Sequence, residues 1–151
     1  MRESLRSVVN ALSPEELNQA GLYQALVSGS PSRLCKFASI DYRVELQGNG
    51  LLLDDLLPAT ALAAYRIVQE AVNNAVKHAH CHRISIRLRI GRFGGARDIV
   101  LMIDIRDDGI GLDETAIQAG FHSIRDRALA LGGAVRIGGT GGLRVHVLLR
   151  Q

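Results

Sequence analysis

Four residues in the stretch YRIVQEAVNNAVKHAH, residues 65–80, have the types and spacing to do chemistry. With a helix turning about 100° per residue, Glu70, Asn74, Lys77 and His78 fall on one side. Tyr65, Val68, Val72, Ala75, Val76 and Ala79 form an apolar stripe on the other. A carboxylate at Glu70 can take a proton, the Asn74 carbonyl suits a hard cation, and the Lys77 ammonium meets phosphate charge. Together they suit a divalent metal ion carrying a phosphate chain. A plain solvated helix face has the same pattern, so a base- or phosphate-binding element elsewhere must decide between the two readings.

Asp107-x-Gly109-x-Gly111 is such an element, placed directly after an alternating strand. Its glycines let the backbone turn tightly and approach a ligand. The Asp107 carboxylate can accept a hydrogen bond from an exocyclic amine such as that of adenine. Alone, an Asp-Gly pattern also makes ordinary turns. Ordered behind the Glu70–Asn74 helix, it points to a nucleotide.

The elements that must position these residues follow from periodicity. Ser13-Pro14-Glu15-Glu16 predicts a helix start, with Ser13 as N-cap, Pro14 first in the helix and Glu16 closing a capping box. That helix runs through Leu17, Leu22, Ala25 and Leu26 and ends at Ser28-Gly29-Ser30-Pro31. Residues 40–47 alternate as a half-buried strand, residues 51–57 form an apolar linker, and Pro58 opens the long helix, which ends near Ala79. Strands follow at 83–90 and 98–106, a helix at 121–131 closed by Gly132-Gly133, and a hairpin of 134–137 with 143–149. Helices alternating with cleanly amphipathic strands predict an α/β (α+β) two-layer sandwich. Its sheet is mixed and mostly antiparallel, with helices packed on one face.

Composition narrows the function. The apolar fraction of 47% and charged fraction of 22% are those of a soluble globular domain with an aliphatic core. Only 4% of residues are aromatic and none is Trp, which argues against a stacking platform for single-stranded nucleic acid. The net charge of +3 gives a weak pull on anions, with no concentrated basic run in the sequence. Cys35 and Cys81 form no CxxC pair, so a reducing, cytoplasmic compartment is expected. His80, Cys81 and His82 are adjacent at a helix end and are poorly placed to face one metal ion. No apolar run is long enough to span a membrane.

RIVQEAVNNAVKHA followed by IDIRDDGIGL closely resembles the N box and first glycine box of the GHKL (Bergerat-fold) ATPases. Within them the chain is most similar to sensor histidine kinases of the NarX, UhpB and DesK type. ALSPEELNQAGLYQAL and IRDRALALGGAVRI resemble two further segments of that subfamily. The resemblance implies an ATP and Mg²⁺ site. Glu70 then matches the residue that orients or activates water or the acceptor imidazole, Asn74 the Mg²⁺ ligand, and Lys77 a phosphate contact. His78 matches a residue near the ribose or lid, and Asp107 the reader of adenine, with Gly109 and Gly111 shaping its pocket. Gly120 matches the closing part of the lid, and Arg125 and Arg127 match basic residues of the next helix. The chain departs from the pattern where residues 118–124, QAGFHSI, replace a glycine-rich lid, and where Leu143 replaces a threonine.

On this resemblance residues 13–151 are expected to be a catalytic ATP-binding domain, with residues 1–12 the end of a dimerisation and phosphoacceptor helix. None of the five histidines lies in an acidic acceptor context. The expected partners are therefore a phosphoacceptor His domain of the same kinase and a response regulator of the LuxR-type DNA-binding kind. The full-length parent would be cytoplasmic or membrane-anchored. Two other readings compete: a degenerate module acting in protein interaction, and a Ser kinase of the anti-sigma-factor type.

Overall fold

The computed structural model describes residues 14–78, 80–94, 97–111, 121–139 and 141–151. Helix α1 (Glu15–Ser28) is followed at once by α2 (Ser30–Phe37), then strand β1 (Asp41–Gly48), a short 3-10 turn (Gly50–Asp55) and the long helix α3 (Pro58–His78). Strands β2 (Arg83–Phe93) and β3 (Asp98–Asp107), helix α4 (His122–Ala130), and strands β4 (Ala134–Gly138) and β5 (Arg144–Arg150) complete the order.

The sheet runs β1-β2-β3-β5-β4. β1 and β2 are parallel, as strands joined by a helical crossover must be, and α3 is that crossover. The other pairings are antiparallel, and β5 returns between β4 and β3. Ile84, Ile86, Leu88 and Ile90 of β2 are buried, as are Leu101, Ile103 and Ile105 of β3 and Val145, Val147 and Leu149 of β5. Their neighbours at the alternate positions are largely exposed. All the described helices lie against the buried face, α3 centrally, and the aliphatic core fills the space between. The expected two-layer sandwich is the observed one.

Several local expectations are corrected. Ser13 lies outside the described residues; Pro14 occupies the N-cap position, and no side chain caps the helix. Glu16, whose capping box would be made with Ser13, meets another partner among the described residues. Its carboxylate takes a 2.7 Å hydrogen bond from Arg33 of α2, which also holds its pKa below the usual value. The predicted continuous first helix breaks at Gly21, whose φ of 81° only glycine adopts freely. Ser28-Gly29-Ser30-Pro31 ends one helix and starts another, because a proline in a first turn forfeits no intrahelical bond. The linker at 51–57 is largely a 3-10 turn, begun by the Asn49 side chain accepting from the Leu51 amide at 3.2 Å.

Candidate functional site

Helix α3 presents the residues expected of it. Tyr65, Val68, Val72 and Ala75 are buried, and so are Ala64, Ile67 and Ala71, because α3 is gripped by the sheet and by the other helices. Glu70 and Asn74 are half-buried on its remaining side, while Lys77 and His78 stand exposed in the last turn. No descriptor in the sequence pointed to the residue that meets Glu70. The Ser123 hydroxyl of α4 donates a short hydrogen bond to Glu70 Oε1. Ser123 sits where the family pattern reads differently, and only helix packing brings it to Glu70. Phe121 and Ile124, both fully buried, anchor α4 beside that contact.

Asp107 ends β3 next to the start of β5. Its Oδ1 accepts two backbone hydrogen bonds, from Gly109 at 2.9 Å and from Leu143 at 3.1 Å. The Asp107 amide in turn donates to the Leu143 carbonyl at 3.1 Å. These bonds hold the carboxylate in one orientation, and among the described residues none is made by Oδ2. One oxygen is therefore left to accept from a ligand amine. Leu143 is nearly buried, and its side chain packs into the core. Its replacement of a threonine thus removes a hydroxyl while keeping a backbone donor to the same aspartate.

Glycine makes this approach feasible. Gly142 has φ 119°, and a Cβ there would stand 2.2 Å from the Asp107 carbonyl oxygen. Gly111 lies against the same hairpin, where a Cβ would come within 2.7 Å of the Gly139 carbonyl oxygen. Both ends of the glycine motif are therefore backed by the loop between β4 and β5.

Asp108, which sequence reasoning passed over, pins the other side. Its Oδ1 accepts from the amides of His82 and Arg83 at 2.7 and 2.8 Å, and these two bonds hold its pKa below the ordinary aspartate value. The start of β2 and the end of β3 are clamped together in this way. Cys81 links that clamp to α3: its thiol faces the Ala75 carbonyl at 3.9 Å. Burial raises the Cys81 pKa first, and the nearby Asp107 and Asp108 charges raise it further. The end of α3 and the Asp107 loop are thus neighbours across Cys81, although they are far apart in sequence.

The arrangement suits an adenine nucleotide: a fixed acceptor at Asp107, a glycine cradle behind it, and, across Cys81, the end of the helix that carries Glu70 and Asn74. Among the described residues no three His, Cys, Asp or Glu side chains cluster to hold a metal ion. A divalent ion here would take the Asn74 carbonyl and draw its other ligands from phosphate oxygens and water, as Mg²⁺ usually does. Gly120 lies outside the described residues. Arg125 and Arg127 are exposed on α4. Among the described residues no helix is long and apolar enough to cross a membrane.

Comparison with known proteins agrees. Residues 59–149 match the family model described as histidine kinase-, DNA gyrase B-, and HSP90-like ATPase. The chain is 33% identical to the signal transduction histidine-protein kinase/phosphatase UhpB of Salmonella typhimurium, over 99% of its own length and 28% of that protein's. It is 31% identical to the sensor histidine kinase ComP of Bacillus subtilis, over 87% of its own length and 16% of that protein's. It therefore spans less than a third of either relative. The solved histidine kinase domain of the Erythrobacter litoralis blue-light activated kinase shares the fold, with a TM-score of 0.63 and 21% identity over 97% of this chain and 73% of that one. With α3, the Asp107 loop and the closing hairpin all inside the matched span, the chain belongs to the histidine kinase-, DNA gyrase B- and HSP90-like ATPase family.

Proposed function

We propose that this chain is the catalytic domain of a sensor histidine kinase, binding Mg·ATP and directing the γ-phosphoryl group to a histidine on a separate dimerisation domain. The observation that carries the reading is the Asp107 carboxylate, fixed through Oδ1 by the Gly109 and Leu143 amides and, among the described residues, open at Oδ2, with Cys81 linking its neighbourhood to the end of α3. When bound, ATP supplies the phosphoryl group and Mg²⁺ the charge neutralisation around it.

The chain's own residues do the rest. Asp107 selects the base by accepting from its amine, with Gly109 and Gly111 giving the loop its shape. Asn74 offers a carbonyl oxygen to the metal, Lys77 meets phosphate charge, and His78 lies near the ribose side or the lid. Glu70 is the catalytic residue: as the unprotonated nitrogen of the acceptor imidazole bonds to the γ-phosphorus and the bond from phosphorus to the departing ADP oxygen breaks, it takes the proton from the ring's other nitrogen. Ser123 orients the Glu70 carboxylate for that transfer. Gly120 belongs to the lid on this reading, residues 13–151 form the domain, and residues 1–12 end the acceptor helix. The acceptor domain would belong to the same kinase, and a response regulator, of LuxR type on family grounds, would receive the phosphoryl group in the cytoplasm.

Calorimetric titration with Mg·ATP tests the reading. Saturable binding that is lost in Asn74→Ala when Mg²⁺ is present, but not in its absence, is expected. If the parent chain bound no nucleotide at millimolar concentration, the kinase reading would fall in favour of a module that acts through protein contacts alone.

A further inference from the structure

The face of the sheet turned away from the helices is built as a binding surface that the nucleotide reading does not use. Alternation puts eight of the chain's arginines on it and only four carboxylates. The whole chain has 18 cationic and 15 anionic side chains, so everything off this face is one charge short of neutral and the face holds the entire surplus.

The charges are not mutually consumed. Each carboxylate takes one arginine: Asp41 with Arg43 at 3.3 Å, Glu45 with Arg87 at 3.3 Å, Asp104 with Arg106 at 3.0 Å, and Asp98 with Arg150 at 2.5 Å. That leaves Arg83, Arg89, Arg136 and Arg144, which are exposed and whose side chains make no hydrogen bond or ion pair among the described residues. Cross-strand register aligns them in rows. Arg87, Asp104, His146 and Arg136 lie in one row, and Arg89, Met102, Leu148 and Ala134 lie in the next. A hollow of about 500 Å³ opens over these two rows. Its arginines therefore flank an apolar strip of Met102 and Leu148, which Phe93 extends at the sheet's end; Leu148 is 37% and Phe93 55% exposed.

We propose that this face docks an acidic segment of polypeptide in which apolar side chains alternate with carboxylates. The apolar residues fill the strip, and the carboxylates meet Arg89, Arg136 and Arg144. Rows two residues apart along a strand are separated by roughly 7 Å, which is also the repeat of alternate side chains on an extended peptide. Nucleic acid fits the surface less well. Glu45 and Asp104 stand among the arginines and repel a continuous phosphate chain, and a lone Phe93 at the edge gives no stacking platform. A lipid surface is flat, whereas this face is hollowed.

The test is fluorescence anisotropy of the full chain with a labelled peptide of alternating Glu and Leu, beside a Glu/Ser peptide, a Lys/Leu peptide, a short DNA duplex and phosphatidylglycerol vesicles. The Glu/Leu peptide should bind, with affinity falling as salt rises. The Glu/Ser peptide should bind more weakly and the Lys/Leu peptide not at all. The double variant Arg89→Glu with Arg136→Glu should lose at least about tenfold in Glu/Leu affinity, and Leu148→Ser should lose affinity at constant charge. Arg33→Glu, on the helical side, should change nothing. Unaltered Mg·ATP titration in each variant shows that the fold survives, and Arg89→Gln with Arg136→Gln serves if the charge reversals unfold. Failure of the Glu/Leu peptide to bind overturns the proposal. So does indifference to the arginine variants, or tighter binding of the duplex or the vesicles. None of these outcomes bears on the nucleotide site, which is read separately by the ATP titration.

Discussion

Replacing Asp107 by asparagine isolates base recognition from folding. The asparagine carbonyl can still accept from the Gly109 and Leu143 amides, which now meet Oδ1 at 2.9 and 3.1 Å. The β3–β5 junction should hold, and the thermal midpoint without nucleotide should move by no more than about 2 °C. The change falls on the other oxygen. Where Oδ2 accepts from the adenine amine, the variant offers an NH₂ that donates, and two donors face each other. A hydrogen bond to a charged partner contributes about 1.5–3 kcal/mol. At about 1.4 kcal/mol per tenfold, ATP affinity should fall roughly tenfold to a hundredfold. A nucleotide with a carbonyl in place of that amine, GTP, should lose nothing and can gain from the new donor. Calorimetric titrations of both nucleotides into parent and variant give the answer. If Asp107→Asn bound Mg·ATP as tightly as the parent, or lost ATP and GTP affinity equally, Asp107 would not be reading the base.

Gly142→Ala should cost more in stability than a surface substitution, about 2–4 kcal/mol, because a Cβ at 2.2 Å from the Asp107 carbonyl oxygen must force the hairpin away from β3; chemical denaturation measures it, and a neutral result would refute the close approach. Ser123→Ala should leave Mg·ATP affinity near that of the parent while lowering phosphoryl transfer to an acceptor domain supplied in trans, and Ser123→Thr should restore part of it; equal transfer rates in parent and alanine variant would remove Ser123 from any positioning role. Burial pushes the Cys35 thiol from an ordinary 9.0 up to about 11, with neighbouring Cys81 adding to it. The neutral thiol is therefore favoured by folding, its contribution is complete below pH 9, and stability should decline as pH rises from 9 toward 11, by at most about 1.4 kcal/mol per pH unit. Denaturation midpoints of the parent and Cys35→Ala across that range should converge, and a constant difference would contradict the burial argument.

Much of the site was legible before folding. Glu70 and Asn74 share a side of α3 because the helical period is a local property, and the apolar stripe that opposes them is local for the same reason. The strand alternation that sets the covered and uncovered faces of the sheet is also written residue by residue. Asp107-x-Gly109-x-Gly111 was readable because glycine is visible in any sequence and marks a turn, and Gly111 takes a φ of 75° that glycine adopts freely. The break at Gly21 and the helix 30–37 were not legible, because the same Gly and Ser-Pro residues also end helices, and propensity cannot tell an end from a restart.

Tertiary structure decided which groups meet. Asp107 is oriented by the Leu143 amide, a partner that carries no sequence signature, since every non-proline residue has the same N–H. Glu70 meets Ser123, Asp108 clamps His82 and Arg83, and Cys81 packs between the end of α3 and the Asp107 loop; each contact joins residues whose separation along the chain gives no hint of it. The basic face likewise emerges only from register: arginines scattered over five strands look dispersed in the sequence, and pairing brings them into adjoining rows. Local periodicity thus determined what each element offers, whereas strand order and helix docking, which depend on burying the whole aliphatic core at once, decided what each offered group touches.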